Sequence, residues 1–134
     1  ETLTHHGSGW FVRRDFFLDK LRGMQSEGYG VSYMEPADLG LRMWLGPWEG
    51  AVMVNKACWY GHLHQDHRVR GYPVDWAEIK RSYDWTANYW MRNAWSEQIR
   101  PLEWLIDRFW PIPTWPDDWR SRQLAYEDVH PWSP

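Results

Sequence analysis

Glu35-Pro36-Ala37-Asp38-Leu39-Gly40-Leu41-Arg42-Met43-Trp44, followed at short range by Trp59-Tyr60-Gly61-His62, decides how this chain is read. Pro36 suits a first helical turn, where its fixed φ and missing N–H cost nothing. That makes Glu35 the expected N-cap and Asp38 the N3 residue, both at the positive end of the helix dipole. Gly46-Pro47 closes the helix, because proline is excluded from helix interiors. Acids held at a helix start near an imidazole can serve as a base, a sugar-hydroxyl acceptor or a metal neighbour. Acids that only cap the helix would give the same pattern. Asp38 and Arg42 also stand at i, i+4, where an exposed ion pair contributes only about 0.2–0.5 kcal/mol.

On either side of this helix the alternation of apolar and polar residues predicts strands. Residues 7–13 place Trp10 and Val12 on one face and Phe11 on the other. Residues 51–54 and 58–64 form one bent strand or two, with His62 and His64 on a common face because strand side chains alternate. His62-x-His64-x-x-His67 has a spacing seen in metal sites, although zinc needs a fuller ligand set. Residues 14–21 predict a short amphipathic helix with Phe17 and Leu21 at i, i+4, and the glycine-rich stretch 25–32 predicts a loop.

Asp75 and Glu78 have the spacing of a capping box at the head of a long helix. Trp76, Ile79, Tyr83, Ala87, Trp90 and Ala94 recur at three and four and predict its buried face. Trp85 and Tyr89 add a second aromatic flank, more than one core face needs, which the sequence assigns to a partner or a second copy of the chain. A further helix begins at Pro101, with Leu102, Leu105, Ile106 and Phe109 inward. The prolines from Pro111 onward predict an extended tail carrying Trp115 and Trp119.

Of the 134 residues 43% are hydrophobic and 25% charged, with net charge −3, the profile of an ordinary globular domain. That near-neutral balance argues against a broad nucleic-acid footprint. Arg68 and Arg70 make a local basic spot, so nucleic acid stays among the possible acceptors. No apolar run approaches the ~18–20 residues of a membrane span, and no leader pattern opens the chain. The single cysteine, Cys58, rules out an internal disulfide framework and points to a reducing, cytoplasmic compartment. Thirteen tryptophans are far above average usage. Such clusters build thick cores, protein interfaces or platforms that stack on sugar rings.

The ordered motifs resemble a known family. Glu-x-x-Asp-(apolar)-x-(apolar)-Arg-(apolar)-Trp, then a strand, then Gly-His, is similar to the C-terminal catalytic half of GT-A glycosyltransferases. The polypeptide N-acetylgalactosaminyltransferases carry such a segment. The likeness is nearer to phage and bacterial family 2 glycosyltransferase-like proteins. It rests on Gly7-Ser8-Gly9-Trp10-Phe11, on Val54-Asn55-Lys56-Ala57-Cys58-Trp59-Tyr60-Gly61-His62-Leu63-His64, and on Glu103-Trp104-Leu105-Ile106 continuing through Asp107-Arg108-Phe109-Trp110-Pro111-Ile112-Pro113. Where the transferases have Gly-Gly before the acid, this chain has Tyr33-Met34.

The resemblance implies an α/β fold: a partial GT-A-like half-domain with a few strands, about four helices and an extended Trp/Pro-rich tail. It places the acceptor-side half at 1–72 and a Trp-rich helical extension at 73–134. It implies Glu35 and Asp38 as catalytic acids, Trp10, Tyr33 and Trp59 as substrate-binding residues, and His62 as a ligand to a divalent metal, Mn or Mg. The substrates it implies are a nucleotide-sugar donor and a glycan or other hydroxyl acceptor. The Asp-x-Asp motif that carries the metal in such enzymes does not occur in this sequence. A nucleotide-binding half would come from a further segment or a second polypeptide. The competing expectation is a non-catalytic module that binds a glycan or a protein through its tryptophans, with homo-oligomers possible under either reading.

Overall fold

Helices carry the architecture. The computed structural model describes residues 1–5, 7, 9–25, 28–30, 34–62, 73 and 75–123. In chain order these hold a π-helical turn, Phe16–Lys20, then α1 (Glu35–Leu45), α2 (Trp76–Met91) and α3 (Leu102–Phe109). A last helical stretch covers 119–123.

Among the described residues there is no strand, which corrects the α/β expectation and the GT-A-like half-domain that went with it. Residues 9–13 and 51–62 are irregular. Thr2 N–H donates to Val52 O at 2.9 Å, but no repeating ladder follows from it. The alternation that predicted strands signals a half-buried face only if a second layer covers it. Here Phe11 is 97% exposed and Met53 and Val54 also face solvent, so no such layer forms among the described residues. His64, His67, Arg68 and Arg70 lie outside the described residues.

The core draws on both sides of residue 72. Trp44 and Leu45 of α1 and Val52 pack with Trp90, Trp95, Leu105, Ile106 and Trp119. α3 follows its spacing: Leu102, Leu105 and Ile106 are buried and Phe109 is half-buried. Phe109 meets the Trp44 ring edge-on, with centroids 5.4 Å apart. The tail departs from the extended form expected of it. It turns back into a helix at 119 and sends Trp119 into the core.

α2 is capped as predicted, with the Asp75 carboxylate accepting from Ala77 N (2.9 Å) and Glu78 N (3.1 Å). Its buried face keeps Ile79 and Trp90 of the predicted stripe and otherwise departs from it. Ile79, Ser82, Thr86 and Trp90 turn inward, while Trp76 and Tyr83 stand in solvent. Ser82 and Thr86 can be buried because each hydroxyl donates to the carbonyl four residues back, Glu78 O at 3.1 Å and Ser82 O at 2.6 Å. A stripe of small side chains lets the 28–30 loop lie directly on the helix, and the larger residues of the apolar pattern would hold it off.

Tyr29 locks that loop in place. Its ring is buried, and its hydroxyl accepts from Trp90 Nε1 at 2.9 Å. The ring meets Trp85 edge-on at 4.6 Å, and Trp85 in turn stacks on Tyr89. The second aromatic flank of α2 is thus taken up within the chain. Gly28 has φ +82°, and a Cβ there would run into the Trp85 indole, so only glycine fits.

Burial, with the Asp38 carboxylate nearby as a smaller cause, pushes the Tyr29 phenol well above its ordinary value. The folded chain therefore favours the protonated phenol. Its stabilising contribution is complete below pH ~10, the unfolded value, and falls away as pH rises beyond it. Urea midpoints followed upward from pH 8 should drop more steeply above pH ~10 in the wild type than in Tyr29→Phe. Parallel curves would mean that this phenol has no part in alkaline unfolding.

Candidate functional site

α1 is the element that organises the site, and its start differs from the expectation. The N-cap is Met34, with no side-chain cap, and Glu35 is the first helical residue with Pro36 behind it. Glu35 therefore does not cap the helix. Its side chain, and Tyr33 as a whole, lie outside the described residues.

Asp38 is not on the surface. It is 1% exposed and Arg42 is 5% exposed. Arg42 Nε donates to Asp38 Oδ1 at 2.8 Å, and a second guanidinium nitrogen pairs with Asp38 Oδ2. Gln25 N–H also donates to Oδ2, at 3.1 Å. Arg42 continues to the carbonyls of Leu21 and Gly23, the latter at 2.8 Å. The pair thus clamps the 21–25 loop onto α1, and both carboxylate oxygens are occupied. This is the chemistry of a brace, in which each buried charge is neutralised and hydrogen-bonded.

The N-terminal segment lies across the same helix. Thr4 Oγ1 donates to Pro36 O at 2.8 Å, and Trp44 Nε1 donates to Thr2 O at 3.1 Å. Between this segment, α1 and residues 51–60 opens a cleft of about 730 Å³. Leu21, Leu39 and Val52 form its buried floor; Trp10 and Tyr60 are aromatic walls. Trp10 is held by Phe17 and His5, each with its ring centroid 5.9 Å away. Tyr60 lies so close over Gly9 that a Cβ there would sit 2.7 Å from the phenol ring. Tyr60 and Gly9 stand in the quoted motifs, but their sequence assigns neither a place in a site. The Gly-x-Gly-Trp spacing was the available signal, but nothing local shows that a residue fifty positions on lies against it.

Of the sequence candidates whose side chains are described, Trp10 alone lines the cleft. Thr4 joins the cleft to the start of α1, where Glu35 stands. Trp59, 90% exposed, and the exposed His62 follow on the segment that supplies one wall, outside the cleft itself. Among the described residues no three His, Cys, Asp or Glu side chains come together as a metal-binding group.

Among the described residues no helix is long and apolar enough to cross a membrane. Compared with protein-family models, curated proteins and solved structures, the chain matches none.

Proposed function

We propose that this chain supplies the acceptor side of a nucleotide-sugar-dependent glycosyltransferase, working with a nucleotide-binding segment or polypeptide. The ordered motifs of the sequence are the ground for naming the activity. The observation that carries the reading is that the start of α1, with Glu35, adjoins an aromatic-walled cleft through Thr4. Trp10 and Tyr60 wall the cleft with apolar ring faces against which the acceptor can lie, and Thr4 stands where the cleft meets the start of α1.

In this reading an acceptor hydroxyl oxygen attacks the anomeric carbon, and the bond to the nucleoside diphosphate breaks. Glu35 takes the hydroxyl proton if the configuration inverts, or holds the sugar or acceptor if it is retained. Orientation of the two substrates supplies much of the remaining acceleration. Asp38 braces the loop under this site through Arg42. A Mn or Mg ion in the assembled enzyme would neutralise the diphosphate, with His62 as this chain's donor and the other ligands from the partner. The lone Cys58, free and exposed, fits a reducing cytoplasm.

Glu35→Gln, assayed for transfer in the assembly with the nucleotide-binding part, should lower the rate by ~10²–10⁴ if the carboxylate acts as base. The helix should be unaffected, because Met34 and not Glu35 occupies the N-cap. An unchanged rate would remove Glu35 from the chemistry. A chain that binds glycans through Trp10 and Trp59 but supports no transfer with any nucleotide-binding partner would be a binding module instead.

A further inference from the structure

We propose that the cleft between the N-terminal segment and residues 51–60 holds an alkyl or prenyl chain, the apolar part of the acceptor. This rests on the glycosyltransferase reading for the word acceptor, and on the cleft alone for the chemistry of the ligand. Among the described residues no Asp, Glu, Lys or Arg lines the cleft. Its floor is aliphatic and buried, and Phe11, Met53 and Val54 continue the apolar lining to an exposed rim.

Its volume of about 730 Å³ falls within the ~300–1,000 Å³ of small-molecule sites, which are mostly apolar with a few polar groups. A nucleoside diphosphate needs cations or a ring of N–H donors, and would be desolvated here with no opposite charge. A bare sugar that entered fully would bury several hydroxyls, each needing a partner. Two of the polar groups available are already engaged. Thr4 Oγ1 donates to Pro36 O, and Asn55 Oδ1 accepts from Ala57 N. A hydrocarbon chain asks for no partners and gains from every apolar wall. Its sugar or hydroxyl head would then emerge by Thr4, beside the start of α1.

Titration calorimetry with octyl β-glucoside below its micelle concentration, against methyl β-glucoside, separates chain from head. The expected result is saturable binding of the octyl compound and at least tenfold weaker binding of the methyl one. Val54→Asp, on the exposed rim, should weaken octyl glucoside binding at least tenfold with an unchanged melting temperature. Equal binding of the two glucosides, no binding of either, or indifference to Val54→Asp would each overturn the proposal. So would sedimentation as a dimer that octyl glucoside dissociates, which would make the cleft a self-docking face. Intact transfer with no octyl glucoside binding would overturn this site alone and leave the glycosyltransferase reading standing.

Discussion

Arg42→Met should destabilise the chain by about 3–5 kcal/mol, the cost of leaving one buried charge without its partner. The i, i+4 spacing alone would lead one to expect a change of a few tenths of a kcal/mol. Burial makes the difference: Asp38 is 1% exposed and cannot recover its lost partner from water. The carbonyls of Leu21 and Gly23 lose their donor in the same substitution. Asp38→Asn/Arg42→Met removes the charge as well as the guanidinium and should recover part of the loss. Urea unfolding of the two variants beside the wild type measures this. A loss below about 1 kcal/mol in Arg42→Met would place the pair on a solvated surface.

Trp90→Ala is expected to cost about 3–5 kcal/mol, the usual range for deleting a buried aromatic ring. Trp90 is 2% exposed, shares the central core with Trp95 and Leu105, and donates to the Tyr29 hydroxyl. Its loss opens a cavity and also strands a buried phenol. Against a total stability of ~5–15 kcal/mol, that is enough to leave much of the chain unfolded. Trp85→Ala should cost less, about 1–3 kcal/mol, because this ring is half-buried and packs on Tyr29 and Tyr89 at the edge of the central core rather than within it. Thermal melts of both variants, with sedimentation at several concentrations, check the contrast. Equal losses would mean that the Tyr29 loop is as integral to the core as α3.

Helix positions were readable from local signals. Pro36 and Gly46-Pro47 bracket α1, Asp75 marks the head of α2, and Pro101 with Pro111 encloses α3, because caps and prolines act within a turn or two of themselves. The face that each helix buries was less readable. α3 has one strongly apolar stripe and buries it. α2 has several candidate stripes, and the one chosen includes Ser82 and Thr86, whose hydroxyls are satisfied by their own helix. Periodicity counts apolar residues and does not register a hydroxyl that pairs with its own backbone, so it finds Ile79 and Trp90 but not Ser82 and Thr86 between them.

The candidate site divides along the same line. Trp10 could be named from its motif, and it does line the cleft. Tyr60, Gly9 and the Arg42 clamp could not, since each gains its role from a segment distant in sequence: Tyr60 from Gly9, Arg42 from Leu21 and Gly23.

By itself the sequence determined where α1, α2 and α3 run, to within a few residues, and that aromatic mass would build the core. Only the tertiary structure decided that residues 9–13 and 51–62 form no sheet, that Asp38 and Arg42 lie buried, and that Tyr29 of the 28–30 loop packs against Trp85. Helix signals are local backbone chemistry, while strand pairing and burial depend on what the rest of the chain brings alongside. Phe11, Met53 and Val54 carry a strand's alternation, but no second layer among the described residues covers them.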